Sequence, residues 1–438
     1  PIQKGQCLDP VKGYFTGVTE YARMASHGTV NEVSMYSIME NPMTACFVAP
    51  TEVLIGDRPV PIGAYVDGHI NEGFHYDAAL TIDANGKTKY ERIVGMHKNP
   101  APDRLFQIVT KSGNELLLTA NHRIAIDHPD GLEWVRADQV SPGDRIYSLR
   151  HLKLAGRIPG ALDILPDDCR IADESLLAEI AQELERQYGS VKQGFKHAGL
   201  TSPHPRVRSL PLGDLKRLVN LLGRDWEQIK QRIGEVRFGN TTLQLPEMSA
   251  DLFYLLGLLA SDGSFSRRGH YACFVNFVNA DEGLLQAFTE AYQRVFPDRK
   301  LGLRLKKDTS SSIGEREVRS TRPCYSLYAA NPFLGLVSQH LGIKMDGEER
   351  WDLGRMLALP EAHIAAFIAG EFDGDGSVRL RRYEGKYDYG EAYLCIDDER
   401  AARHLQLLLK RLGIVGYVHK SGPVYKIELH GSNLRRFT

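Results

Sequence analysis

The sequence contains few cysteines and no excess of charge of either sign. Its six cysteines are scattered along the chain: Cys7, Cys46, Cys169, Cys273, Cys324 and Cys395. No two of them form a Cys-x-x-Cys pair, which argues against a disulfide framework and a zinc ribbon and fits a reducing cytoplasm. The formal net charge of −1 excludes a global field that steers the whole chain to nucleic acid. Any basic surface must therefore be local.

Long apolar runs are also missing. No stretch approaches the ~18 apolar residues that a membrane span needs, so we expect no membrane partner. The opening residues, PIQKGQCLDP, lack both the apolar core of a signal peptide and an initiator Met. We expect a cytoplasmic, monomeric protein and interpret both ends as cut, so that the chain is a fragment of a longer reading frame.

Four zones differ in pattern. Residues 1–45 are a short mixed stretch. Residues 46–150 contain short alternating runs such as TEVLIG and ELLLTA, separated by turn signals such as ANGK and SPGD, which predicts an all-β domain. Residues 151–245 carry helical patterns, for example SLLAEIAQELERQYG, and predict a small helical linker domain. Residues 246–438 form the largest unit.

This largest unit repeats internally. The stretches LLGLLASDGSF (255–265) and FIAGEFDGDGSV (367–378) both read as an apolar helix that ends in Asp-Gly-Ser, and they place Asp262 and Asp375 at equivalent positions. Each copy opens a segment with the pattern αββαββα, and the second segment is cut within its last helix. Two halves in the same order predict an α+β domain with pseudo-twofold symmetry.

The repeated helices suggest metal chemistry. Gly257 and Gly370 are small residues inside apolar helices, which permits close packing of the pair. Such packing would bring Asp262 and Asp375 together, and adjacent carboxylates repel unless a cation joins them. Mg²⁺ prefers oxygen ligands and can help to cleave a phosphodiester. The alternative is a pair of core helices capped by Asp-Gly turns.

The two stretches resemble the paired motifs of LAGLIDADG homing endonucleases over about residues 246–438. The resemblance implies Mg²⁺-dependent, site-specific cleavage of double-stranded DNA, with the metal on Asp262 and Asp375. Asp373 keeps the acid found at the sixth place of the motif, whereas Ala260 replaces it in the first copy. In this family the strands form a saddle over the DNA major groove.

Basic residues follow each repeated helix, where the saddle would lie. They are Arg267, Arg268, Arg379, Arg381, Arg382 and Lys386. We interpret them as contacts to phosphates or base edges, although solvated edge residues are the alternative. Lys306 and Lys426 are candidates for lysines that assist cleavage, with Lys307 and Lys420 as rivals.

A second chemistry centres on Cys46. It precedes a β-rich zone in which Thr119 and His122 form a Thr-x-x-His pattern, and the zone closes with WVRADQVSPGDRIYSL. A lone cysteine is usually a small buried hydrophobe. Together, however, these pieces resemble the Hint fold of inteins, a horseshoe-like all-β splicing domain, over residues 46–150.

The resemblance implies autocatalysis. The thiol of Cys46 attacks the carbonyl of Ala45 and converts an amide into a thioester, while His122 protonates the leaving nitrogen and Thr119 holds the peptide. Because the reaction stays within one chain, effective molarity replaces substrate binding. Full splicing needs a C-terminal His-Asn and a following nucleophile, which this chain does not reach, so we expect only the first acyl shift.

Residues 1–45 resemble the acetyl-CoA synthase subunit of carbon-monoxide dehydrogenase/acetyl-CoA synthase, an acyltransferase, through DPVKG (9–13) and NEVSMYSIMENPMTA (31–45). In that family a nickel-binding Cys-Gly-Cys follows, so an intein after Ala45 would interrupt a metal ligand. Cys7 matches no ligand position. We therefore expect no nickel or iron–sulfur ligands in this fragment.

Three questions stay open at this point. The element is either an active intein endonuclease that targets the intein-free host gene or a degenerate one that binds DNA without cutting, which the loss of the acid at Ala260 mildly favours. The chain can also be a host fragment with an inert insertion. The basic stretch SVKQGFKHAGLTSPHPRVRS within 151–245 is either an extra DNA contact or a solvated linker.

Overall fold

The computed structural model describes residues 7–8, 34–37, 46–71, 77–83, 86–100, 102–201, 209–239, 241–268, 272–306, 310–313, 316–319, 323–343, 351–383 and 387–437. The chain divides into two compact units. The first combines residues 1–154 with 378–438, and the second is residues 155–377. Among the described residues, no helix has both the length and the hydrophobicity to cross a membrane.

Short antiparallel strands dominate the first part of the chain. They are β1 (Cys7–Leu8), β2 (Ser34–Ser37), β3 (Phe47–Val48), β4 (Glu52–Ile55), β5 (Arg58–Pro61), β6 (Ala78–Ile82), β7 (Thr88–Arg92), β8 (His97–Pro100), β9 (Leu105–Val109), β10 (Glu115–Leu118), β11 (Arg123–His128) and β12 (Gly131–Arg136). They form a six-stranded sheet in the order β1-β9-β10-β3-β2-β8, a four-stranded sheet β5-β4-β6-β7, and the hairpin β11-β12.

The prediction that residues 46–150 are all-β needs one correction. Helix α1 (Ile62–His69) and a 3₁₀ turn (Ala137–Gln139) interrupt the strands. In the helix, Ile62, Tyr65 and Val66 are buried and join the core between the sheets. Their spacing of three and four residues gives a helix one apolar stripe. The stretch is too short to stand out from the surrounding strand pattern.

The segment predicted as a helical linker is instead α+β. Its elements are a 3₁₀ turn (Ala161–Ile164), β13 (Arg170–Ile171), α2 (Glu174–Tyr188), α3 (Val191–His197), β14 (Leu210–Pro211), α4 (Leu212–Leu221), α5 (Trp226–Lys230), β15 (Glu235–Phe238) and β16 (Thr241–Gln244). The strands form one sheet, β14-β13-β15-β16. Strands of two to four residues are too short to produce a readable alternation, which is why the helical pattern dominated the prediction.

The first repeat contains α6 (Ala250–Ser261), β17 (Gly263–Arg268), β18 (Ala272–Asn279), α7 (Glu282–Val295), β19 (Gly302–Lys306), β20 (Ser310–Ile313), β21 (Arg316–Arg319), β22 (Cys324–Ala330) and α8 (Pro332–His340). A 3₁₀ helix (Leu353–Ala358) leads into the second repeat. That repeat contains α9 (Glu361–Asp375), β23 (Gly376–Tyr383), β24 (Tyr387–Ile396), α10 (Glu399–Arg411), β25 (Tyr417–Ser421), β26 (Val424–His430) and α11 (Gly431–Phe437).

Both repeats have the predicted order αββαββα. Their sheets share one topology, β17-β18-β22-β19 in the first and β23-β24-β26-β25 in the second. The first repeat differs by the added hairpin β20-β21. Helix α6 is buried on nearly every side, as expected for a helix that is apolar all round.

Hydrogen bonds and ion pairs join helix α10 to the β-rich part of the first unit. The ring Nε2 of buried His404 lies 2.9 Å from Glu52 Oε2, and Arg400 Nε donates to Glu52 Oε1 at 3.0 Å. Burial alone would raise the pKa of Glu52, but the hydrogen bond and charge of His404, with those of Arg400, hold it below its usual value. Gln406 Nε2 also donates to the carbonyl of Ser112 at 3.1 Å.

Lys410 provides a stability prediction on the same helix. Burial lowers its pKa to about 8, and Arg403 adds repulsion. Since this folded value lies below the unfolded value of about 10.4, the charge destabilises the fold below pH ~8, and the penalty fades as the pH rises toward 10. We expect Lys410→Met to raise the thermal midpoint at pH 7, by on the order of 2 kcal/mol in stability, and much less at pH 10.

Thermal scans at both pH values check this prediction. The matched control is Lys111→Met, because Lys111 is exposed and its replacement should give the same small shift at each pH. An equal shift for Lys410→Met at pH 7 and pH 10 would contradict the explanation.

Two candidate active sites

The two repeated helices touch backbone to backbone at their glycines. A Cβ atom added to Gly257 would lie 2.1 Å from the carbonyl oxygen of Phe367, and one added to Gly370 would lie 2.2 Å from that of Tyr254. Neither distance is possible for a real side chain. The predicted close approach at this pair of glycines is therefore confirmed.

The close approach sets the helix ends beside each other. Asp262 is the C-terminal cap of α6, and Asp375 is the last residue of α9. A Cβ on Gly374 would lie 3.3 Å from Asp262 Oδ2 and 2.0 Å from Ser261 Oγ. The Asp262 carboxylate thus lies against the last turn of α9 at Gly374, the residue before the exposed Asp375.

Asn279 is a member of this site that sequence reasoning missed. Asn279 is the last residue of β18, and its Nδ2 donates to Asp262 Oδ2 at 2.8 Å. The bond orients the carboxylate. No sequence signal distinguished Asn279 from the nearby Asn276, because only the pairing of β17 with β18 decides which side chain reaches Asp262.

The acid at the sixth place of the motif ties the helices together. Tyr254 Oη on α6 donates to Asp373 Oδ2 on α9 at 2.7 Å. Burial, and then this bond to a carboxylate, raises the pKa of Tyr254 above its usual range. At the matching place on α6, Ala260 is buried and apolar. Its methyl group fills space and makes no such bond.

The pair of carboxylates suits a hard divalent cation. Among the described residues, no group of three or more His, Cys, Asp or Glu side chains could hold a metal ion. Mg²⁺ commonly binds one or two carboxylates and completes its shell with waters and substrate phosphates. The donors present, Asp262 and Asp375, therefore fit Mg²⁺ that is shared with a phosphodiester.

The predicted lysines lie on strands. Lys306 ends β19 and is exposed. Lys426 on β26 is largely buried, pairs with Glu428 at 2.7 Å and lies 3.8 Å from the centre of the Tyr393 ring. Lys420 lies on β25 above Tyr425, and Lys307 is outside the described residues.

The predicted DNA contacts divide into four groups. Arg267 and Arg268 lie in β17 and Arg381 in β23, where the structure describes the strand and not these side chains. Arg382 is exposed, and Lys386 is outside the described residues. Arg379 contacts the buried carboxylate of Glu391 and covers Tyr393. Arg379 is therefore engaged within the fold.

At the second site, a short antiparallel ladder holds Cys46 against Thr119. Phe47 on β3 pairs with Leu118 on β10. The Cys46 N–H donates to Thr119 Oγ1 at 3.2 Å, and the Thr119 N–H donates to the Cys46 carbonyl at 3.1 Å. Cys46 and Thr119 are both buried. The structure thus brings together two residues separated by 73 positions.

His122 completes the cluster. Its ring centroid lies 4.2 Å from that of Phe47, and its Nδ1 has no hydrogen-bond partner among the described residues. Burial lowers the pKa of His122 to about 4. The neutral form of the imidazole is therefore favoured near pH 7. The role of His122 in protonating a peptide nitrogen stays a prediction.

Asn99 is a further group that the sequence did not reveal. Asn99 lies on strand β8, and its Nδ2 donates to Cys46 Sγ at 3.7 Å. Burial raises the pKa of the Cys46 thiol, and the Asn99 bond partly offsets this. Asn99 is thus the only group found near the sulfur, among the described residues, that favours the thiolate.

Comparison with known proteins matches two parts of the chain to families. Residues 362–438 match the model of a LAGLIDADG-like domain. Residues 1–60 match the model of the C-terminal part of the ACS/CODH beta subunit. These matches confirm the predicted LAGLIDADG-like α+β domain and the acetyl-CoA synthase piece.

Individual relatives cover the chain very differently. It is 25% identical over 430 residues to the B subunit of the A-type ATP synthase of Methanopyrus kandleri, covering 92% of this chain and 39% of that protein. It is 22% identical over 406 residues to reverse gyrase of Methanocaldococcus jannaschii, covering 90% of this chain and 22% of that protein. The chain thus spans well under half of either relative.

Two further likenesses are partial. The beta subunit of the acetyl-CoA decarbonylase/synthase complex of M. kandleri is 48% identical over 46 residues, which is 10% of this chain and 10% of that protein. A structure of the homing endonuclease I-DmoI aligns with a TM-score of 0.30 and 17% identity over 43% of this chain and 92% of that one.

Proposed function

We propose that the chain is an intein with an embedded LAGLIDADG endonuclease, joined to a piece of its host acetyl-CoA synthase. The endonuclease would cut double-stranded DNA of the intein-free host gene. The observation that carries this proposal is the contact at Gly257 and Gly370, which sets the Asp262 carboxylate against the helix end that bears Asp375.

The pattern of relatives supports an inserted element. The two relatives carry different names, an ATP synthase subunit and a reverse gyrase, yet about nine-tenths of this chain aligns with each. The acetyl-CoA synthase relative aligns over only 46 residues. A long segment shared by two differently named proteins, beside a short segment similar to a third, is what a mobile insertion produces.

Mg²⁺ on Asp262 and Asp375 would supply charge for the developing phosphodiester transition state and lower the pKa of a bound water. The chain's own residues orient the donors. Asn279 fixes one oxygen of Asp262, and the glycine contact keeps the two helix ends together. Lys306 and Lys426 stay candidates for assisting cleavage.

A cleavage assay tests this proposal. The chain would meet linear duplex DNA that carries the fused host coding sequence across the Ala45 codon, first with Mg²⁺ and then with EDTA. The expected result is one double-strand cut that EDTA abolishes. A duplex of equal length with a scrambled junction is the control. Binding of the junction without a cut would favour the degenerate element.

A second proposed activity is the first acyl shift at Cys46. The hydrogen bond from the Cys46 amide to Thr119 favours it, because an intein needs its first peptide bond held beside a buried histidine. The Cys46 sulfur bonds to the Ala45 carbonyl carbon as the C–N bond breaks. The thiol proton ends on the freed amine. Ala45 itself lies outside the described residues.

Thiol-induced release of residues 1–45 measures this step. We expect dithiothreitol to release the peptide from the native chain, with the product identified by mass. Thr119→Ala should slow release about tenfold through loss of one hydrogen bond to the peptide. Cys46→Ala should release nothing, and Thr110→Ala, a hydroxyl in a nearby turn, serves as the control. Release from the Cys46→Ala chain at the native rate would refute the proposal.

A further inference from the structure

A cavity of about 660 Å³ opens on the first unit, and Cys46, Thr119 and His122 are not among the described residues that line it. The hairpin β6–β7 forms one wall, and residues 147–153 form the other. We call this cavity the basic cleft. Its size lies within the range typical of ligand sites in proteins, roughly 300–1,000 Å³.

The charged side chains of the basic cleft have one sign. Lys87, Arg150 and Lys153 line it together with His151, and none of the described residues in the lining is Asp or Glu. Within the described part of the chain, no ion pair is found for Lys87, Arg150 or Lys153, and all three are exposed. Like charges that converge without a counter-charge attract an anion.

Neighbouring cations behave differently. Lys89, on the same hairpin, pairs with Glu91, and Arg145 pairs with Asp127 at 3.6 Å. The hairpin acid, Asp83, accepts the backbone N–H of Lys87 at 2.9 Å. That carboxylate is bonded within the turn, and Asp83 is not among the described residues that line the basic cleft.

The rest of the lining matches a nucleotide unit. Tyr147, 39% exposed, lies against the turn at Gly86, where an added Cβ would meet its ring at 2.8 Å. Thr88 and Ser148 add hydroxyl donors, and Leu80 adds an apolar wall. An aromatic face beside cations and hydroxyls is the combination that binds a stacked base and its phosphate.

The wall at residues 147–153 is fixed in place. The Leu152 N–H donates to the Lys410 carbonyl at 2.9 Å, and Arg411 Nη1 donates to the Leu152 carbonyl at 3.0 Å. Exposed Arg435 and Arg436 follow on α11, where Arg436 reaches the carbonyl of Gly413 beside the His151 ring. The positive surface therefore extends beyond the cleft itself, as contact with a chain of phosphates requires.

We propose that the basic cleft binds the sugar–phosphate backbone of a DNA strand, with Tyr147 stacked against a base. The unit that it would bind, a nucleoside phosphate, also occurs in free nucleotides. The positive surface that continues to Arg435 and Arg436 favours DNA over a free nucleotide. This site adds DNA contacts outside the paired-aspartate site and does not depend on cutting.

Fluorescence anisotropy of the full chain tests the proposal with duplex and single-stranded DNA at several salt concentrations. The variant Lys87→Gln/Arg150→Gln/Lys153→Gln should bind at least one DNA form at least tenfold more weakly. Its log–log salt slope should fall in magnitude by about 2–3, since each phosphate contact contributes about 0.7–0.9. The control Lys89→Gln/Arg145→Gln, which removes two paired cations, should change neither quantity. Tyr147→Leu should weaken single-strand binding in particular.

Unchanged affinity and salt slope in a folded triple variant would overturn the proposal. A competition experiment gives the second outcome that would overturn it. If micromolar ATP displaces labelled DNA, and DNA at the same nucleotide concentration does not displace ATP, the cleft binds a free nucleotide. Cleavage is scored separately with the native chain. Loss of binding in the triple variant therefore stands whether or not the native chain cuts.

Discussion

Asp262→Asn should lower the rate of double-strand cleavage by about 10²–10³-fold or more, with affinity for the target duplex changed little. Asparagine keeps the shape of the side chain and an oxygen for the Asn279 bond, so the fold is retained. It loses the negative charge that would hold Mg²⁺, and charge stabilisation of this kind is worth several kcal/mol in a transition state. Asp375→Asn should behave in the same way from the other helix.

The measurement is single-turnover cleavage of the host-junction duplex beside anisotropy on the same DNA. Asp251→Asn is the matched control, because Asp251 starts the same helix and pairs with Arg294 at its exposed end. Cleavage should survive that change. If Asp262→Asn and Asp251→Asn chains cut equally fast, the paired aspartates do not form the active site.

The sixth-place acid separates metal binding from helix packing. Asp373→Asn removes the charge that Tyr254 contacts, but it leaves Asp262 and Asp375 unchanged. We expect this substitution to lower stability and, through stability, activity. Ala260 holds the matching place in the first repeat and makes no such hydrogen bond. The acid missing there therefore concerns helix packing and not the carboxylate of Asp262.

Local pattern was enough to predict the repeats and, through the resemblance it carries, the grouping of Cys46 with Thr119 and His122. The apolar helix ending in Asp-Gly-Ser is a contiguous signal, and its second copy at Asp375 fixes the order of the following elements. Gly257 and Gly370 predicted a contact because only a residue without Cβ permits it. Thr119 and His122 are close in sequence, so a short motif was enough to predict that they lie beside Cys46.

Contacts set by strand register could not be read in this way. Asn99 and Asn279 reach their partners from strands whose neighbours are distant in sequence. The bond between Glu52 and His404 spans 352 positions and has no local signature. The same limit explains the sheet missed within 151–245, since β13 is two residues long and pairs with strands far along the chain.

The charge state of His122 was also beyond sequence reasoning. A histidine is read as ionisable near neutral pH unless its burial is known. Here burial lowers the pKa of His122 to about 4. That burial includes Phe47, which lies on β3, far from His122 in sequence.

Gly257→Ala and Gly370→Ala should each destabilise the second unit by about 3 kcal/mol and abolish cleavage. The added methyl would lie 2.1–2.2 Å from a carbonyl oxygen of the facing helix, so the helices must separate. Overpacking of this kind typically costs about 1–3 kcal/mol and occasionally more. Separation also moves Asp262 away from the turn that bears Asp375.

Gly68→Ala is the matched control, since Gly68 is also helical but exposed, with nothing within 4 Å of an added Cβ. Alanine there should stabilise helix α1 by about 0.5–1 kcal/mol, because alanine has the higher helix propensity. Thermal scans and single-turnover cleavage of the three variants check the opposite signs. If Gly257→Ala melts and cuts like Gly68→Ala, the helices tolerate separation. The close contact would then not be what assembles the paired aspartates.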